Sequence, residues 1–195
     1  LDSIDLNVIA SEITAFQLYQ KGEIDLIGQP FSSIPVDAQK YLLPNAEVLI
    51  SPSAATTFIT FNTLEFPFYN SNIRKAFSLG INRKDIADNV TQMGEQAAFC
   101  AVPPSLKNEK FAHLYEDNQV KEAQEALRAG MQELGVDQKT LEEHLEYLYS
   151  NTDVSHKVAQ VLQQQWLKNL GIKVKLGTTD RKTLMETISK KKHIF

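Results

Sequence analysis

The sequence predicts a domain of the α/β class, with a mixed sheet flanked by helices. Two observations carry this prediction. Short runs rich in β-branched and aromatic residues, several with alternating apolar and polar positions, are typical of strands. Between them lie segments whose apolar residues recur at the spacing of one helical face. The two patterns alternate, with a strand–helix–strand order at both ends of the chain, and this alternation is typical of the α/β class.

The length of 195 residues suits one domain. The chain begins at Leu1 and ends in KKHIF, where a new apolar stretch starts. We therefore expect residues 1–195 to form a single lobe that is cut at both ends from a longer protein.

The first part of the chain carries predicted strands and two predicted helices. The first helix covers about 12–21, with Ser11 as its capping residue and Gly22 at its end. The second covers 36–43 and ends before Pro44, because the residue before a proline disfavours the helical conformation. The strand patterns occupy 3–9, 23–27, 46–52 and 56–62.

Two more helices are predicted in the stretch FNTLEFPFYNSNIRKAFSLGINRKDI, residues 61–86. The apolar face of the first is formed by Ile73, Ala76, Phe77, Gly80 and Ile81. Asn82 is expected to cap the second helix. The buried stripe of that second helix is predicted to be Ile86, Val90 and Met93. Arg74 falls outside the apolar face of the first helix, so we expect it to anchor a neighbouring loop.

Three helices and two strands are predicted in residues 120–195. The helices cover 120–134, 151–171 and a segment that Asp180 caps, and the strands cover 144–150 and 172–177. The apolar positions expected on the buried faces of these helices are Val120, Ala123, Leu127, Leu134, Val158, Val161, Leu162, Trp166, Leu170, Leu184, Met185 and Ile188. This pattern favours a core role for the tryptophan over a role as a ligand platform.

The composition argues against several classes of function. The formal net charge of −4 gives no dominant basic field, so no nucleic-acid partner is expected. The four histidines lack the spacing of a zinc site, and the eight glycines form no nucleotide-binding motif. Cys100 is expected to be a small buried hydrophobic residue, with a Cys100–His113 dyad as the alternative. We therefore expect no cofactor, no metal ion and no catalytic residues.

One long motif in the stretch 61–86 matches a known pattern. The matching positions are Phe61, Asn62, Pro67, Phe68, Asn70, Ile73, Arg74, Ala76, Phe77, Ile81, Asn82 and Arg83. In these positions the chain resembles the periplasmic oligopeptide- and dipeptide-binding proteins of ABC importers, solute-binding protein family 5. Segments 15–27 and 156–176 resemble further elements of that family. The resemblance covers essentially the whole chain and well under half of a full family member.

The resemblance implies a lobe of the type II periplasmic-binding-protein fold. This would be the C-terminal lobe, which closes by a hinge on a missing N-terminal lobe with an oligopeptide between them. The implied protein is a monomeric, non-enzymatic substrate-binding component that delivers peptides to ABC permease subunits for import. It would act in the periplasm or at the outer face of the cytoplasmic membrane.

The resemblance also implies ligand-binding residues. Aligned from Trp166, the polar residues that line the ligand cavity in the family fall at Ser150, Asn151, Ser155 and His156. The Arg-His pair that members use for ligand carboxylates falls on Ile188 and Ser189, so the chain departs from the family there and leaves Ser189 as the candidate. The acidic residue that binds the peptide amino terminus would lie past Phe195.

Alternatives stay open for both the site and the function. Residues 150–156 lie at a strand-to-helix junction, where open α/β sheets place ligands, but Asn151, Thr152 or Asp153 could simply cap the helix. The ligand could be a non-peptide solute such as a nickel chelate. A cytosolic α/β enzyme is the least favoured interpretation, because the sequence shows no catalytic constellation for it.

Overall fold

The structure is a computed structural model. The residues that it describes are 2–28, 32–35, 37–38, 42, 51, 53–92, 94–106 and 116–195. The chain divides into two compact units, Leu1–Ser51 and Pro52–Phe195. The organisation of residues 1–195 as a single lobe stays a prediction.

The first unit contains helix α1, Glu12–Gln20, where the sequence predicts it. The Ser11 hydroxyl accepts a hydrogen bond from the Thr14 N–H at 3.3 Å and so satisfies one of the free donors at the helix start. Gly22 follows the helix with a φ of 74°, a conformation that ends helices and favours glycine. The predicted cap and the predicted stop are both confirmed.

The strands predicted in the first unit do not form. Residues 3–9 and 23–27 have no strand structure, and Ile4, Leu6 and Val8 are exposed. An alternating pattern tells which side chains share a face, but a strand also needs a neighbour for its backbone hydrogen bonds. No described residue supplies that neighbour, so these two predictions were wrong.

Two other predictions for the first unit fall largely outside the described residues. Of the helix expected at 36–43, Asp37, Ala38 and Leu42 are helical. Of the strand expected at 46–52, only Ser51 is described, and it is not in a strand.

The second unit holds most of the regular structure. Its helices are α2 (Ser71–Leu79), α3 (Arg83–Asp85), α4 (Val120–Leu134), α5 (Gln138–Glu143), α6 (Asp153–Leu170) and α7 (Arg181–Ser189). A π-helix, Ile86–Thr91, continues directly from α3, and a short 3-10 helix covers Pro104–Leu106. The strands are β1 (Glu146–Ser150) and β2 (Lys175–Thr179).

The two strands form a parallel pair, with α6 as the crossover between them. The register places Glu146 opposite Lys175 at one end and Ser150 opposite Thr179 at the other. The two carboxyl ends therefore meet at one edge of the sheet. The strand predicted at 56–62 does not form; instead, the Asn62 N–H makes one backbone bond, to the carbonyl of Ile194 at 3.0 Å.

The core of the second unit is rich in aromatic residues. Phe68, Phe77 and Trp166 are fully buried, and Phe195 is 2% exposed. The Trp166 Nε1–H donates to the carbonyl of Phe77 at 3.0 Å, so the indole is satisfied without water. The predicted core role of Trp166 is confirmed.

Close packing of α2 on α4 depends on a glycine. A Cβ atom built on Gly130 would lie 2.7 Å from Cδ1 of Ile73 and 3.0 Å from its backbone nitrogen. Gly130 therefore lets the two helix backbones approach more closely than any larger residue would allow.

Some predicted buried positions are less buried in the structure. Met185 on α7 is 50% exposed, so its predicted burial was wrong, and Leu184 and Ile188 are half-buried. Ile86 and Val90 in the π-helix are also half-buried, and Met93 lies outside the described residues. Sequence periodicity identifies a face, but the extent of its burial depends on which other elements cover it.

Candidate functional site

The candidate site residues 150–156 lie where β1 ends and α6 begins. The Asn151 N–H donates to the carbonyl of Thr179 at the end of β2, at 2.9 Å, and the Thr152 N–H donates to the carbonyl of Ser150 at 2.8 Å. Thr152 is the residue that caps α6, since its hydroxyl accepts from the Ser155 N–H at 3.2 Å. Capping therefore occupies Thr152 and leaves Asn151 exposed.

Three hydroxyl groups form a chain at this junction. The Thr152 hydroxyl donates to Oγ of Ser155 at 2.8 Å, and Oγ of Ser155 lies 3.1 Å from Oγ of Ser150. Three hydroxyl hydrogens serve two internal bonds, so one O–H remains to donate outside the chain. Ser150 and Ser155 are half-buried.

His156 is held at both of its ring nitrogens. Its Nδ1 lies 2.7 Å from the hydroxyl of Tyr149, and its Nε2 lies 3.1 Å from the side-chain amide nitrogen of Gln160. Tyr149 is 5% exposed, whereas His156 and Gln160 are exposed. Because neither nitrogen bonds a serine, no Ser–His pair of the kind used for nucleophilic catalysis forms here.

Ser189 does not join this group. The Asp180 carboxylate caps the start of α7, close to the end of β2, and Ser189 is the last residue of that helix. At 1.5 Å per residue, a helix of this length separates its two ends by about 12 Å. The structure thus brings Ser150, Asn151, Ser155 and His156 together and leaves Ser189 at the far end of α7.

Asp180 places a carboxylate at the same edge of the sheet. Hydrogen bonds from the hydroxyl and the backbone N–H of Thr183 lower the pKa of Asp180 below its usual range. The carboxylate is therefore ionised near neutral pH. The edge combines neutral hydroxyl donors with one fixed negative charge that is already used as a helix cap.

Sequence reasoning missed Tyr149 and Gln160. The spacing of His156 and Gln160, one helical turn apart, is a signal that could have found the second. Tyr149 gives no such signal, because alternation along β1 places it on the opposite face of the strand from Ser150.

The motif at 61–86 serves as scaffold. The Arg74 guanidinium donates to the carbonyl of Phe68 at 2.6 Å and to that of Tyr69 at 3.1 Å, which confirms its expected contact with loop carbonyls. The Asn82 side chain accepts from the Asp85 N–H, as predicted, and the Asn82 N–H donates to the side chain of the buried Gln165 on α6. The motif thus ties the loop before α2 and the start of α3 to the core.

The other residues considered for chemistry do not assemble a site. Cys100 is half-buried, not fully buried as expected, and its thiol donates to the carbonyl of Val102 at 3.0 Å. His113, its proposed partner, lies outside the described residues. Across the described part of the chain, no group of three or more His, Cys, Asp or Glu side chains is arranged to hold a metal ion. Within the same residues, none of the helices has the length and apolar character needed to cross a membrane.

Comparison with known proteins gives consistent matches over nearly the whole chain. The family model of the bacterial extracellular solute-binding proteins, family 5 Middle, matches residues 1–194. The chain is 33% identical over 182 residues to the oligopeptide-binding protein OppA of Bacillus subtilis strain 168, covering 92% of this chain and 33% of that protein. It is 28% identical over 189 residues to the "Probable deoxycholate-binding periplasmic protein YgiS" of Escherichia coli K12, covering 95% of this chain and 34% of that protein.

A solved structure matches the fold as well. The crystal structure of the periplasmic oligopeptide-binding protein OppAIV from Borrelia burgdorferi superimposes with a TM-score of 0.78 at 25% identity, covering 96% of this chain and 36% of that one. The similarity confirms the predicted fold class, α/β of the type II periplasmic-binding-protein kind. The chain spans about a third of the length of the curated relatives that it matches.

Proposed function

Since this chain belongs to the bacterial extracellular solute-binding proteins of family 5, we propose that it is part of the substrate-binding component of an ABC importer for oligopeptides. Proteins of this family bind substrates and are not enzymes. The observation that carries the proposal is the family match over residues 1–194, together with the similarity to a relative named as an oligopeptide-binding protein.

The geometry of the strand-to-helix junction supports a neutral, hydrogen-bonding ligand. The hydroxyls of Ser150 and Ser155 offer a free O–H, and the exposed Asn151 amide offers both a donor and an acceptor. Peptide backbone groups have the same mixture of donors and acceptors. We assign ligand contact to these residues, with Ser189 as a separate contact at the far end of α7.

The partners follow from the same proposal. The peptide would lie between this part of the protein and a second lobe, and the closed complex would dock on ABC permease subunits as a monomer. The protein would work outside the cytoplasm, in the periplasm or at the outer face of the cytoplasmic membrane. Closure around the peptide removes water, which strengthens each polar contact in the site.

Titration of the intact protein with a mixture of tri- to pentapeptides tests this function. We expect saturable binding, measured by calorimetry and by mass spectrometry of the retained peptides. Ser150→Ala and Ser155→Ala should each weaken binding about 2- to 10-fold, since each removes one neutral hydrogen bond or its support. Ser71→Ala is the matched control, because Ser71 is an exposed serine at the start of α2.

If no peptide in the mixture binds, the proposal is contradicted. The same result from Ser71→Ala as from Ser150→Ala would place the ligand elsewhere in the protein.

A non-peptide solute is the second candidate. The similarity to the YgiS protein, which is named as a probable deoxycholate-binding protein, favours it. Deoxycholate binding that competes with every bound peptide would support this candidate. Deoxycholate that neither binds nor competes would leave the peptide proposal in place.

A further inference from the structure

We propose that Tyr149 and Gln160 are positioning residues, which hold the His156 ring so that it locks the first turn of α6 onto the end of β1. The inference rests on the proposed function, and it changes the role of one candidate residue. His156 would support ligand binding by fixing its neighbours, without contacting the ligand itself.

The hydrogen bonds of the ring carry this inference. A neutral imidazole has one N–H donor and one bare nitrogen acceptor. The Gln160 amide nitrogen, 3.1 Å from Nε2, can only donate, so Nε2 is the bare acceptor and Nδ1–H donates to the Tyr149 hydroxyl at 2.7 Å. With both nitrogens occupied by the protein, the ring has no hydrogen-bonding capacity left for a ligand.

The position of Tyr149 explains why this contact matters. Tyr149 is buried on β1, next to Ser150, and its ring lies against that of Tyr147 with centroids 5.8 Å apart. His156 follows Ser155 directly on α6. The bond between Tyr149 and His156 therefore joins the two chain segments that carry Ser150 and Ser155, whose hydroxyl oxygens lie 3.1 Å apart. Loss of this bond frees the first turn of α6 to move away from the strand.

The first test measures peptide affinity in the intact protein with the same tri- to pentapeptide mixture. Tyr149→Phe keeps the buried ring and removes one neutral hydrogen bond, so we expect affinity to fall about fivefold. Tyr147→Phe is the matched control, because it removes a hydroxyl from the same strand without touching His156. His156→Leu should weaken binding at least as much as Tyr149→Phe, and His156→Asn should recover most of the loss, since its amide can still bond the Tyr149 hydroxyl. Equal affinities for Tyr149→Phe and Tyr147→Phe would overturn the inference.

The second test measures the NMR resonances of the two ring nitrogens of His156. With ¹⁵N-labelled histidine, Tyr149→Phe should move the Nδ1 resonance of His156, Gln160→Leu should move the Nε2 resonance, and Tyr147→Phe should move neither. Saturation with peptide should leave both resonances in place. A peptide-induced change as large as that caused by Tyr149→Phe would show direct ligand contact and overturn the positioning role.

The two tests separate this inference from the proposed function. A protein that binds no peptide, yet shows the resonance changes expected for Tyr149→Phe, would refute the function and with it the role in peptide binding. A protein that binds peptide with unchanged affinity after Tyr149→Phe would refute the inference alone.

Discussion

The Asn62 side chain donates a hydrogen bond to the carbonyl of His193, 131 residues further along the chain, at 2.9 Å. The same amide donates to the carbonyl of Lys191 at 2.9 Å, and its oxygen accepts from the Leu64 N–H. Asn62 is 5% exposed. A single buried side chain thus fastens the segment after α7 to the loop that precedes α2.

Replacing Asn62 tests this connection. Asn62→Ala removes all three side-chain bonds and leaves two carbonyls without those donors, so we expect the free energy of unfolding to fall by about 2–4 kcal/mol. Asn62→Asp should cost more, because a carboxylate would face the two carbonyl oxygens. Urea unfolding gives the values.

Asn89→Ala is the control for Asn62. Its amide bonds Asp85 on the exposed surface, so the expected change is within about 0.5 kcal/mol. A loss at Asn62 no larger than that at Asn89 would show that the segment after α7 is held by other contacts.

Arg74 should matter for stability and not for ligand binding. Its charged hydrogen bonds to the carbonyls of Phe68 and Tyr69 are partly exposed, so Arg74→Ala should cost about 1–2 kcal/mol of unfolding free energy. Arg74→Lys should recover only part of this, since lysine lacks the fork that reaches two carbonyls. Peptide affinity of the folded variants should be unchanged; an affinity loss at constant stability would place Arg74 in the ligand site.

Gly130→Ala should destabilise the protein although alanine favours helices. The new methyl group would meet Ile73 at 2.7 Å, and such overpacking costs about 1–3 kcal/mol. The double variant Gly130→Ala, Ile73→Val should be more stable than the sum of the single changes, because valine lacks the Cδ1 atom and keeps only the Cγ1 and backbone contacts at 2.9 and 3.0 Å. Strictly additive unfolding energies would mean that α2 and α4 separate easily at this point.

Because of His193, the free energy of unfolding should fall in acid. The side chain is 8% exposed, and within the described structure its Nδ1 has no hydrogen-bond partner; burial lowers the pKa of His193 below its usual value of 6.5. As the pH falls through 6.5, the unfolded chain therefore takes up a proton before the folded one. Stability from this residue is complete above pH 6.5 and is lost progressively as the pH falls toward the folded-state pKa.

The measurement for His193 is the free energy of unfolding between pH 5 and 8. The wild-type value should fall on the acid side, and His193→Gln should flatten that part of the profile. An identical slope in the variant would assign the acid effect to other groups.

Local signals in the sequence predicted the helices well. The apolar repeat and Gly135 predict a helix over 120–134, and α4 has those bounds. The prediction succeeds because the residues that determine a helix lie within neighbouring turns of the chain. The caps Asn82 and Asp180 were predictable for the same reason. The strands predicted at 3–9 and 56–62 do not form, because a strand needs a hydrogen-bonding partner and the local pattern carries no information about one.

The candidate site was predictable only in its location. The resemblance points to residues 150–156, and the structure brings them together. The resemblance could not reveal that the His156 ring turns toward Tyr149, because the direction of the ring depends on contacts between the helix and the strand. Ser189, implied by the resemblance from a different segment, stays a predicted contact and lies at the far end of α7.

Trp166 is the single tryptophan of the chain, and it lies fully buried against Phe77, Tyr147 and Phe195. Its intrinsic fluorescence therefore reports on one place, the aromatic centre of the second unit. Unfolding of that unit exposes the indole to water and shifts its emission to longer wavelength. Within residues 1–195, Trp166 is thus a native optical probe for the unfolding of the second unit.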